Sequence, residues 1–388
     1  MQGLLSRTFP QYDALDLNIG CRLAYAKFLS SDDLDLQKGA SLSARTLLKL
    51  LALAALTVPL AACSPTAGTS QSENTPQSVT PTEEFPVTVE HAFGTTVIES
   101  APERVATVAW ANHEVPLALG VVPVGMSKAT WGDDDGDGVL PWVEERLEEL
   151  GADTPALFDE TDGIDFEAVA ATDPDLILAA YSGLTEEEYE LLSKIAPVVA
   201  YPEVAWGTSY KDMIRLNSAA LGLSESGDEL IADLEERVDA SLSQHPELAE
   251  SSILFAFMDP ADLSQIGYYT SHDTRPGFLE SLDFPVPALV AETAAASDAF
   301  YSTISAEQAD QLSDVDIFVT YGDPSGTLIA ELQADPLLSK IPAIASGRIV
   351  ILAENTPLAA SANPSPLSID WAIDEYFSLL AEATIASE

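Results

Sequence analysis

An acidic segment carries the sharpest chemical motif in this 388-residue sequence. Residues 133–144 read DDDGDGVLPWVE and match D-x-D-x-D-G-x5-E, the spacing of a calcium-binding loop. The carboxylate ligands would be Asp133, Asp135, Asp137 and Glu144. Proline at the ninth position is unusual, and the residues before the motif make a poor entering helix. Two interpretations therefore stay open: a loop that binds Ca²⁺, and a solvated acidic loop without a metal.

A second set of residues is suited to holding a small molecule. Aromatic side chains offer large flat contact areas at a small entropic cost, and an arginine can bind an anionic group. Such residues follow predicted strand ends, where open α/β sheets bind ligands. The candidates are Trp110, Asn112, His113, Trp131, Tyr181, Trp206, Tyr268, Tyr269, His272, Arg275 and Tyr301. Each tryptophan could instead be a core residue, and Arg275 could form a surface ion pair.

Two of these candidates, His113 and His272, could also bind a metal ion. A site for bare zinc or manganese would need two or three histidines that converge with carboxylates. The sequence offers one candidate histidine in each half. A bare metal ion is therefore the weaker interpretation of these positions.

Motifs for catalysis are missing from the sequence. There is no G-x-S-x-G, no H-E-x-x-H, no phosphate-binding loop and no G-x-G-x-x-G after a predicted strand. Pairs of carboxylates are too frequent in this chain to indicate glycoside cleavage. We therefore expect a binding protein rather than an enzyme. A secreted hydrolase that uses a carboxylate pair is the alternative from a different class.

The hydrophobic pattern from residue 85 onward alternates between strands and helices. Strands are predicted at 105–110, 121–125, 176–180 and 198–201, and later at 253–258, 265–269, 315–321 and 348–353. Apolar residues recur every four positions from Leu230 to Leu242, behind a capping-box spacing at 226–229, which predicts one long helix up to Pro246. The pattern thus predicts an α/β protein with two similar lobes of mainly parallel sheet, joined by one long helix.

The chain begins with a predicted leader at residues 1–62. Arg45 and Lys49 flank an apolar run that ends in LAAC at Cys63, and this ending resembles the lipobox of bacterial lipoproteins. Cys63 would be acylated after cleavage, and residues 63–84 would form a flexible tether. Residues 1–44 are long for such a signal and could reflect a mis-set translation start. A signal anchor is the alternative.

The net charge is strongly negative. The chain has 16 basic against 63 acidic residues, a net charge of -47, which excludes nucleic-acid binding by the folded part. Without residues 1–62, 10 basic and 58 acidic residues remain, for a net charge of -48. The two cysteines, Cys21 and Cys63, provide neither a disulfide framework nor a thiolate metal site. These features predict an acidic body, lipid-anchored on the extracytoplasmic face of the cell membrane.

Several short strings, in this order and spacing, resemble the substrate-binding lipoproteins of ferric-siderophore ABC importers. They are FGTT at 93–96, APERV at 101–105, LGVVPVG at 119–125, DPDLI at 173–177, LSKIAPVV at 192–199 and SGRIV at 346–350. The resemblance covers almost all of residues 85–385. It implies a first lobe at 85–222, a connecting helix at 223–246, a second lobe at 247–388 that ends in a closing helix, and a ligand cleft between the lobes.

The resemblance also implies a role in iron transport without chemistry on the ligand. The protein would act as a monomer, capture a ferric siderophore in an aromatic cleft and deliver it to ABC permease subunits. Glu167 and Glu307 would be the paired glutamates that contact permease arginines, although each could instead be a solvated helix start. Ferric iron would enter as part of the ligand, with no cofactor required. Haem, cobalamin or a bare Zn²⁺ or Mn²⁺ ion are the alternative ligands.

Overall fold

The computed structural model describes residues 81–259, 261–325 and 327–385. The predicted leader, Cys63 and the tether up to residue 80 lie outside the described residues. Two five-stranded sheets form the centre of the described chain, and a two-stranded hairpin precedes them. Among the described residues, no helix is both long and apolar enough to cross a membrane.

The first lobe contains a fully parallel sheet. The hairpin consists of β1 (Val87–His91) and β2 (Gly94–Ile98), and the sheet strands are β3 (Val105–Thr107), β4 (Gly125–Ser127), β5 (Ala156–Phe158), β6 (Leu176–Ala179) and β7 (Val198–Ala200). Their spatial order is β5-β4-β3-β6-β7. The helices of this lobe are α1 (Glu114–Ala118), α2 (Pro141–Leu150), α3 (Phe166–Ala171), α4 (Glu186–Leu192) and α5 (Tyr210–Ala220). The predicted alternation of strands and helices is therefore confirmed.

Both faces of this sheet are buried. Ile177 and Ala179 of β6 belong to one hydrophobic cluster, whereas Leu176 and Leu178 belong to another. Because successive side chains of a strand point to opposite faces, the two clusters lie on opposite sides of the sheet. The strands are consequently apolar throughout rather than alternating, as expected for a covered parallel sheet.

Strand β4 begins later than the sequence pattern predicts. The predicted strand at 121–125 is replaced by a turn, in which the backbone N–H of Val121 donates to the carbonyl of Pro116 at 2.7 Å. Pro123 has no N–H group and cannot donate to a sheet ladder. The strand therefore starts at Gly125.

The second lobe contains a sheet of the same strand order but mixed direction. Its strands are β8 (Ile253–Asp259), β9 (Asp262–Tyr269), β10 (Tyr301–Ser305), β11 (Ile317–Gly322) and β12 (Ile349–Ala353), in the spatial order β10-β9-β8-β11-β12. Strands β8, β11 and β12 are parallel, whereas β9 is antiparallel to β8 and β10. Only two residues of sequence separate β8 from β9, and so short a connection can join antiparallel strands but not parallel ones. The helices are α7 (Thr274–Ser281), α8 (Ala288–Ala296), α9 (Leu328–Ala334), α10 (Pro342–Ala345) and α11 (Pro357–Ser361).

One long helix joins the lobes, as predicted. It is α6 (Ser224–Leu242), and the last helix of the chain, α12 (Ser368–Glu382), packs against it. The predicted capping box at 226–229 is wrong, because Ser226 lies inside α6 and Leu223, at the N-terminus, makes no side-chain cap. The helix also ends before Pro246, where a short 3-10 helix follows.

The apolar side of α6 lies in a core shared by both lobes. Leu234 and Val238 are each 1% exposed. They belong to one cluster with Tyr181 of the first lobe, Phe255 of the second lobe and Phe377 of α12. The two lobes are therefore packed against a common pair of helices.

A buried carboxylate fixes α12 to the first lobe. Glu114 is 1% exposed, and its oxygens accept hydrogen bonds from the indole N–H of Trp142 at 2.8 Å and from the backbone N–H of Leu367 at 2.9 Å. Leu367 directly precedes α12, where free backbone N–H groups and the helix dipole favour a negative charge. The rings of Trp142 and Trp371 are 5.2 Å apart beside this contact.

We predict that Glu114→Ala lowers the free energy of unfolding by about 2–4 kcal/mol, because two buried N–H groups lose their acceptor. Glu114→Gln keeps one acceptor oxygen and should lose less. The measurement is urea denaturation, with the exposed Glu145→Ala as a control that should stay within about 0.5 kcal/mol of the wild type. An Ala variant as stable as this control would show that Glu114 does not join the lobes.

Candidate functional site

The carboxyl ends of the parallel strands point to one edge of each sheet. The strand order reverses between β3 and β6 in the first sheet, and between β8 and β11 in the second. Open α/β sheets bind ligands at such reversals, because the loops on either side diverge and leave a crevice. Trp110 and Tyr181 follow the first pair of strands, and Phe257 and Tyr321 lie at the ends of the second. These four strand ends form the candidate site.

Trp110 is held in a tight turn after β3. Its neighbours Ala109 and Ala111 both have left-handed backbone conformations, with φ of 61° and 60°. This region is unfavourable for residues with a Cβ atom and is retained only when the surroundings enforce it. The N–H of Ala109 donates to the carboxylate of Glu160 at 2.9 Å. The turn leaves the indole of Trp110 half-buried at the sheet edge.

Asn112 ties the two central strand ends together and does not face a ligand. Its side chain is fully buried, donates to the carbonyls of Val108 and Tyr181 at 2.8 Å each, and accepts from the N–H of Tyr181 at 3.0 Å. All of these partners are backbone groups. The structure therefore corrects the predicted role: Asn112 positions Trp110 and Tyr181 rather than binding a ligand itself.

Tyr181 and Trp206 form an aromatic pair on the first lobe. Their rings meet edge to face with centroids 5.4 Å apart. The indole lies directly on Gly183, where any Cβ atom would come within 2.1 Å of its nitrogen. The hydroxyl of Tyr181 accepts a hydrogen bond from the amide of Asn363 at 3.0 Å, so this pair also contacts the second lobe.

Arg275 is not the free anion-binding group that the sequence suggests. Its Nε and Nη2 atoms donate to the two carboxylate oxygens of Asp273 at 2.8 and 2.7 Å, and Nη1 donates to the hydroxyl of Tyr321 at 3.0 Å. The guanidinium lies 3.6 Å from the centre of the Tyr269 ring, and burial raises the pKa of Tyr269 to about 12. The ion pair is buried, so the alternative of a surface ion pair is also wrong. The positive charge is balanced, yet two of the five guanidinium N–H groups donate to no group among the described residues.

An aromatic cluster surrounds Arg275 on the second lobe. The ring of Phe257 is 5.1 Å from Tyr269 and 5.9 Å from Tyr301. Trp131 of the first lobe meets Tyr321 edge to face at 5.8 Å. The walls contributed by the two lobes therefore touch at this contact.

Tyr268 belongs to the core and not to the site. It is 2% exposed, and its hydroxyl lies 2.8 Å from that of Thr293 on α8. Tyr269, the next residue of β9, points to the opposite face of the sheet. The prediction that both tyrosines bind the ligand is therefore wrong for Tyr268.

The two candidate histidines do not form a metal site. Among the described residues, the only group of three or more His, Cys, Asp or Glu side chains close enough to hold a metal ion is Asp133, Asp135 and Asp137. His272 donates from Nε2 to the carbonyl of Ala294 at 3.1 Å. His113 is 7% exposed, and burial lowers its pKa to about 4, so its imidazole is neutral.

A small depression adjoins Trp110 at the sheet edge. Its polar lining groups are His113, Ser127 and Lys128, and residues 138–140 of the acidic loop line it as well. The acidic loop thus lies next to the candidate site.

The acidic loop gathers three of its four predicted ligands. Side-chain oxygens of Asp133, Asp135 and Asp137 lie within 4.8 Å of one another. Asp133 accepts from the N–H groups of residues 136 and 138 at 2.8 and 2.7 Å, which curls the loop. Partial loss of solvation, together with the charges of Asp137 and Asp135, raises the pKa of Glu144 at the start of α2. The geometry is consistent with the motif, and calcium binding itself stays a prediction.

Glu167 and Glu307 are both exposed at the start of a helical segment. Glu167 lies in the first turn of α3, which Asp165 caps. Glu307 is the second residue of the 3-10 helix Ala306–Leu312, and its N–H donates to the Ser305 hydroxyl at 3.3 Å. Each glutamate thus occupies a comparable position in its own lobe.

Four residues of the site are not among those predicted from the sequence: Phe257, Asp273, Tyr321 and Glu160. Tyr321 closes a predicted strand, so the strand-end rule that selected the other aromatic residues could have found it. Asp273 precedes Arg275 by two residues, a spacing that could have suggested the ion pair. Glu160 carries no sequence signal that separates it from the other acidic residues.

Comparisons with known proteins agree with this architecture. A family model described as periplasmic binding protein matches residues 105–356. The probable siderophore-binding lipoprotein YfiY of Bacillus subtilis is 30% identical over 238 residues, which are 60% of this chain and 67% of YfiY. The crystal structure of PiaA from Streptococcus pneumoniae in complex with ferrichrome is 46% identical, with a TM-score of 0.74 over 78% of this chain and all of PiaA.

A more distant structure supports the fold alone. SirA of Staphylococcus aureus, complexed with staphyloferrin B, is 19% identical, with a TM-score of 0.58 over 76% of this chain and 98% of SirA. The match to the family model covers well over half of the chain and confirms the family resemblance drawn from the sequence. This chain therefore belongs to the periplasmic binding protein family, whose members bind solutes and are not enzymes.

Proposed function

We propose that this protein captures a ferric siderophore between its two lobes and delivers it to an ABC permease. The observation that carries the proposal is an aromatic site built from both lobes around one arginine. In it, Trp131 meets Tyr321, and Arg275 lies over Tyr269. Flat aromatic faces suit a bulky, rigid chelate. Support comes from PiaA, whose structure contains ferrichrome, and from YfiY, named a probable siderophore-binding lipoprotein.

The charges at this site favour a neutral chelate. Asp273 balances Arg275, and the remaining guanidinium N–H groups can donate to neutral oxygen acceptors. Three hydroxamates, each with one negative charge, form a neutral complex with Fe³⁺, whereas three catecholates leave three negative charges. Such an anion would approach a chain with a net charge of -47 and meet a balanced ion pair at Arg275. We infer that a ferric tris-hydroxamate is the ligand class.

The alternative ligands find less support. A bare Zn²⁺ or Mn²⁺ ion would need histidines and carboxylates that converge, and neither His113 nor His272 belongs to such a group among the described residues. Haem and cobalamin also suit aromatic walls and are therefore tested as competing ligands. The hydrolase alternative is set aside because the family is one of binding proteins.

Delivery requires an anchor and a permease-facing surface. Acylation of Cys63 would hold the protein on the extracytoplasmic face of the cell membrane, and the relative YfiY is named a lipoprotein. Glu167 and Glu307, exposed on separate lobes, would contact arginines of the permease. The protein is proposed to act as a monomer.

Titration with ferrichrome should quench the tryptophan fluorescence of the purified protein. Trp131→Ala should weaken binding at least about tenfold, or about 1.4 kcal/mol, because it removes an aromatic wall. Trp371→Ala is the matched control, since this partly exposed tryptophan packs on Trp142 outside the site. Its Kd should stay within about twofold of the wild type.

The same titration separates the ligand classes. Ferrichrome should bind more tightly than a ferric tris-catecholate, haem or cobalamin. Quenching by Zn²⁺ or Mn²⁺, combined with no response to any chelate, would contradict the proposed function.

Charge reversal at both permease-facing positions should block transport but not capture. We expect Glu167→Lys with Glu307→Lys to reduce ferrichrome uptake by cells at least about tenfold, because arginines of the permease would meet like charges. Affinity for ferrichrome should remain unchanged, since neither residue lines the site. Lost affinity in the purified variant would contradict the permease-contact role.

Calcium binding by the acidic loop is tested by calorimetry. If the motif is functional, Ca²⁺ should bind with measurable heat and raise the melting temperature, because the ion neutralises four nearby carboxylates. Asp133→Asn with Asp137→Asn should abolish both effects. No heat and an unchanged melting temperature at millimolar calcium would leave the solvated-loop interpretation.

A further inference from the structure

Glu160 connects three strand ends beside the proposed ligand site. It follows β5 by two residues, and its Oε2 atom accepts from the N–H of Ala109 at 2.9 Å and from the hydroxyl of Ser127 at 3.1 Å. Ala109 follows β3, and Ser127 is the last residue of β4. One carboxylate therefore holds together the edge of the sheet from which Trp110 projects.

The turn at Trp110 needs hydrogen bonds such as those of Glu160 to keep its conformation. Trp110 lies between Ala109 and Ala111, both left-handed, a conformation from which alanine relaxes when nothing holds it. Asn112 anchors the far side of the turn through the carbonyl of Val108. On the near side, the N–H of Ala109 is held by both oxygens of Glu160, at 2.9 and 3.2 Å.

The charge state of Glu160 decides how well it holds the turn. Both partners donate hydrogen bonds, so the ionised carboxylate is the form that they favour. Burial raises the pKa of Glu160 to about 7, the hydrogen bonds from Ala109 and Ser127 oppose this shift, and the charge of Glu188 on α4 adds to it. Of the other ionisable groups nearby, Asp159 precedes Glu160 and Lys128 follows Ser127.

We propose that Glu160 is a positioning residue for ligand recognition: its ionised carboxylate holds the Trp110 turn in the ligand-binding conformation and thereby couples affinity to its own protonation. This inference rests on the proposed function for its ligand. It does not make Glu160 a ligand contact. The group that touches the ligand is Trp110, and Glu160 acts through it.

The sign of the pH dependence follows from the two hydrogen bonds, which favour the ionised carboxylate in the held turn, whereas burial sets the pH range by raising the pKa. Above pH 7 the carboxylate is ionised and the turn is held; as the pH falls through about 7, protonation weakens both hydrogen bonds. Affinity for the ligand should therefore fall toward acid pH. The imidazole of His113, which lines the same depression, stays neutral over this range because its pKa is lowered to about 4.

The test compares the Kd for ferrichrome from pH 5.5 to 8.5 in the wild type and three variants. The wild type should lose at least about fivefold in affinity toward pH 5.5. The Kd of Glu160→Gln should change by less than about twofold over this pH range. Its amide oxygen accepts from Ala109 at every pH, and its NH₂ group can donate to Ser127. Glu160→Ala should bind about tenfold more weakly at all pH values. The exposed Glu186→Gln is the control and should follow the wild type.

A ligand-free measurement keeps this test independent of the ligand's identity. The tryptophan emission of the wild type should change with a midpoint near pH 7. The change should be absent in Glu160→Gln and in Trp110→Phe, while melting temperatures confirm that each variant is folded. Should ferrichrome fail to bind, the proposed ligand is wrong, and this emission profile still decides the role of Glu160. A flat wild-type emission profile, or the same profile in Glu160→Gln, would overturn the inference.

Discussion

The buried carboxylate of Glu114 is the contact on which the relation between the lobes depends. A carboxylate without solvent is unfavourable unless donors surround it, and here an indole N–H and a backbone N–H at the start of α12 supply them. Because α12 also packs on α6 within the shared core, this contact connects the first lobe to the helices that carry the second. The polar contact that joins the lobes thus lies away from the two aromatic walls.

The scarcity of basic residues determines the chemistry of the site as much as the aromatic residues do. In a chain with 16 basic and 63 acidic residues, an unpaired arginine would attract the nearest carboxylate. Arg275 already has such a partner in Asp273, and the ion pair is kept in place by the ring of Tyr269 and the hydroxyl of Tyr321. The guanidinium therefore acts as an oriented hydrogen-bond donor rather than as a free charge. Under the proposed function, this difference is the reason why a neutral chelate would be preferred over an anionic one.

The sequence predicted the architecture better than the directions of single side chains. The periodicity of apolar residues predicted the sheets, the long helix and the sheet edge at which Trp110 and Tyr181 lie. The positions of these elements depend on the apolar pattern alone. It could not assign Tyr268 and Tyr269, since neighbours on a strand face opposite sides and the pattern does not say which side is the site. Nor could it show that Asn112 pairs with backbone groups 69 residues away. Glu114 and Glu160 resemble any other glutamate until the fold buries them.

The shared core limits how the site can open. Rotating one lobe away from the other would expose apolar side chains of a cluster that includes Tyr181, Phe255 and Leu234, at about 25 cal/mol per Å² of apolar surface. It would also break the Glu114 contact. Separating Trp131 from Tyr321 exposes far less surface, because both rings are only partly buried at the sheet edges. Under the proposed function, ligand entry would therefore be least costly through local movement of these rings and the turns that carry them. The residues that hold those turns would then be as important for recognition as the rings themselves.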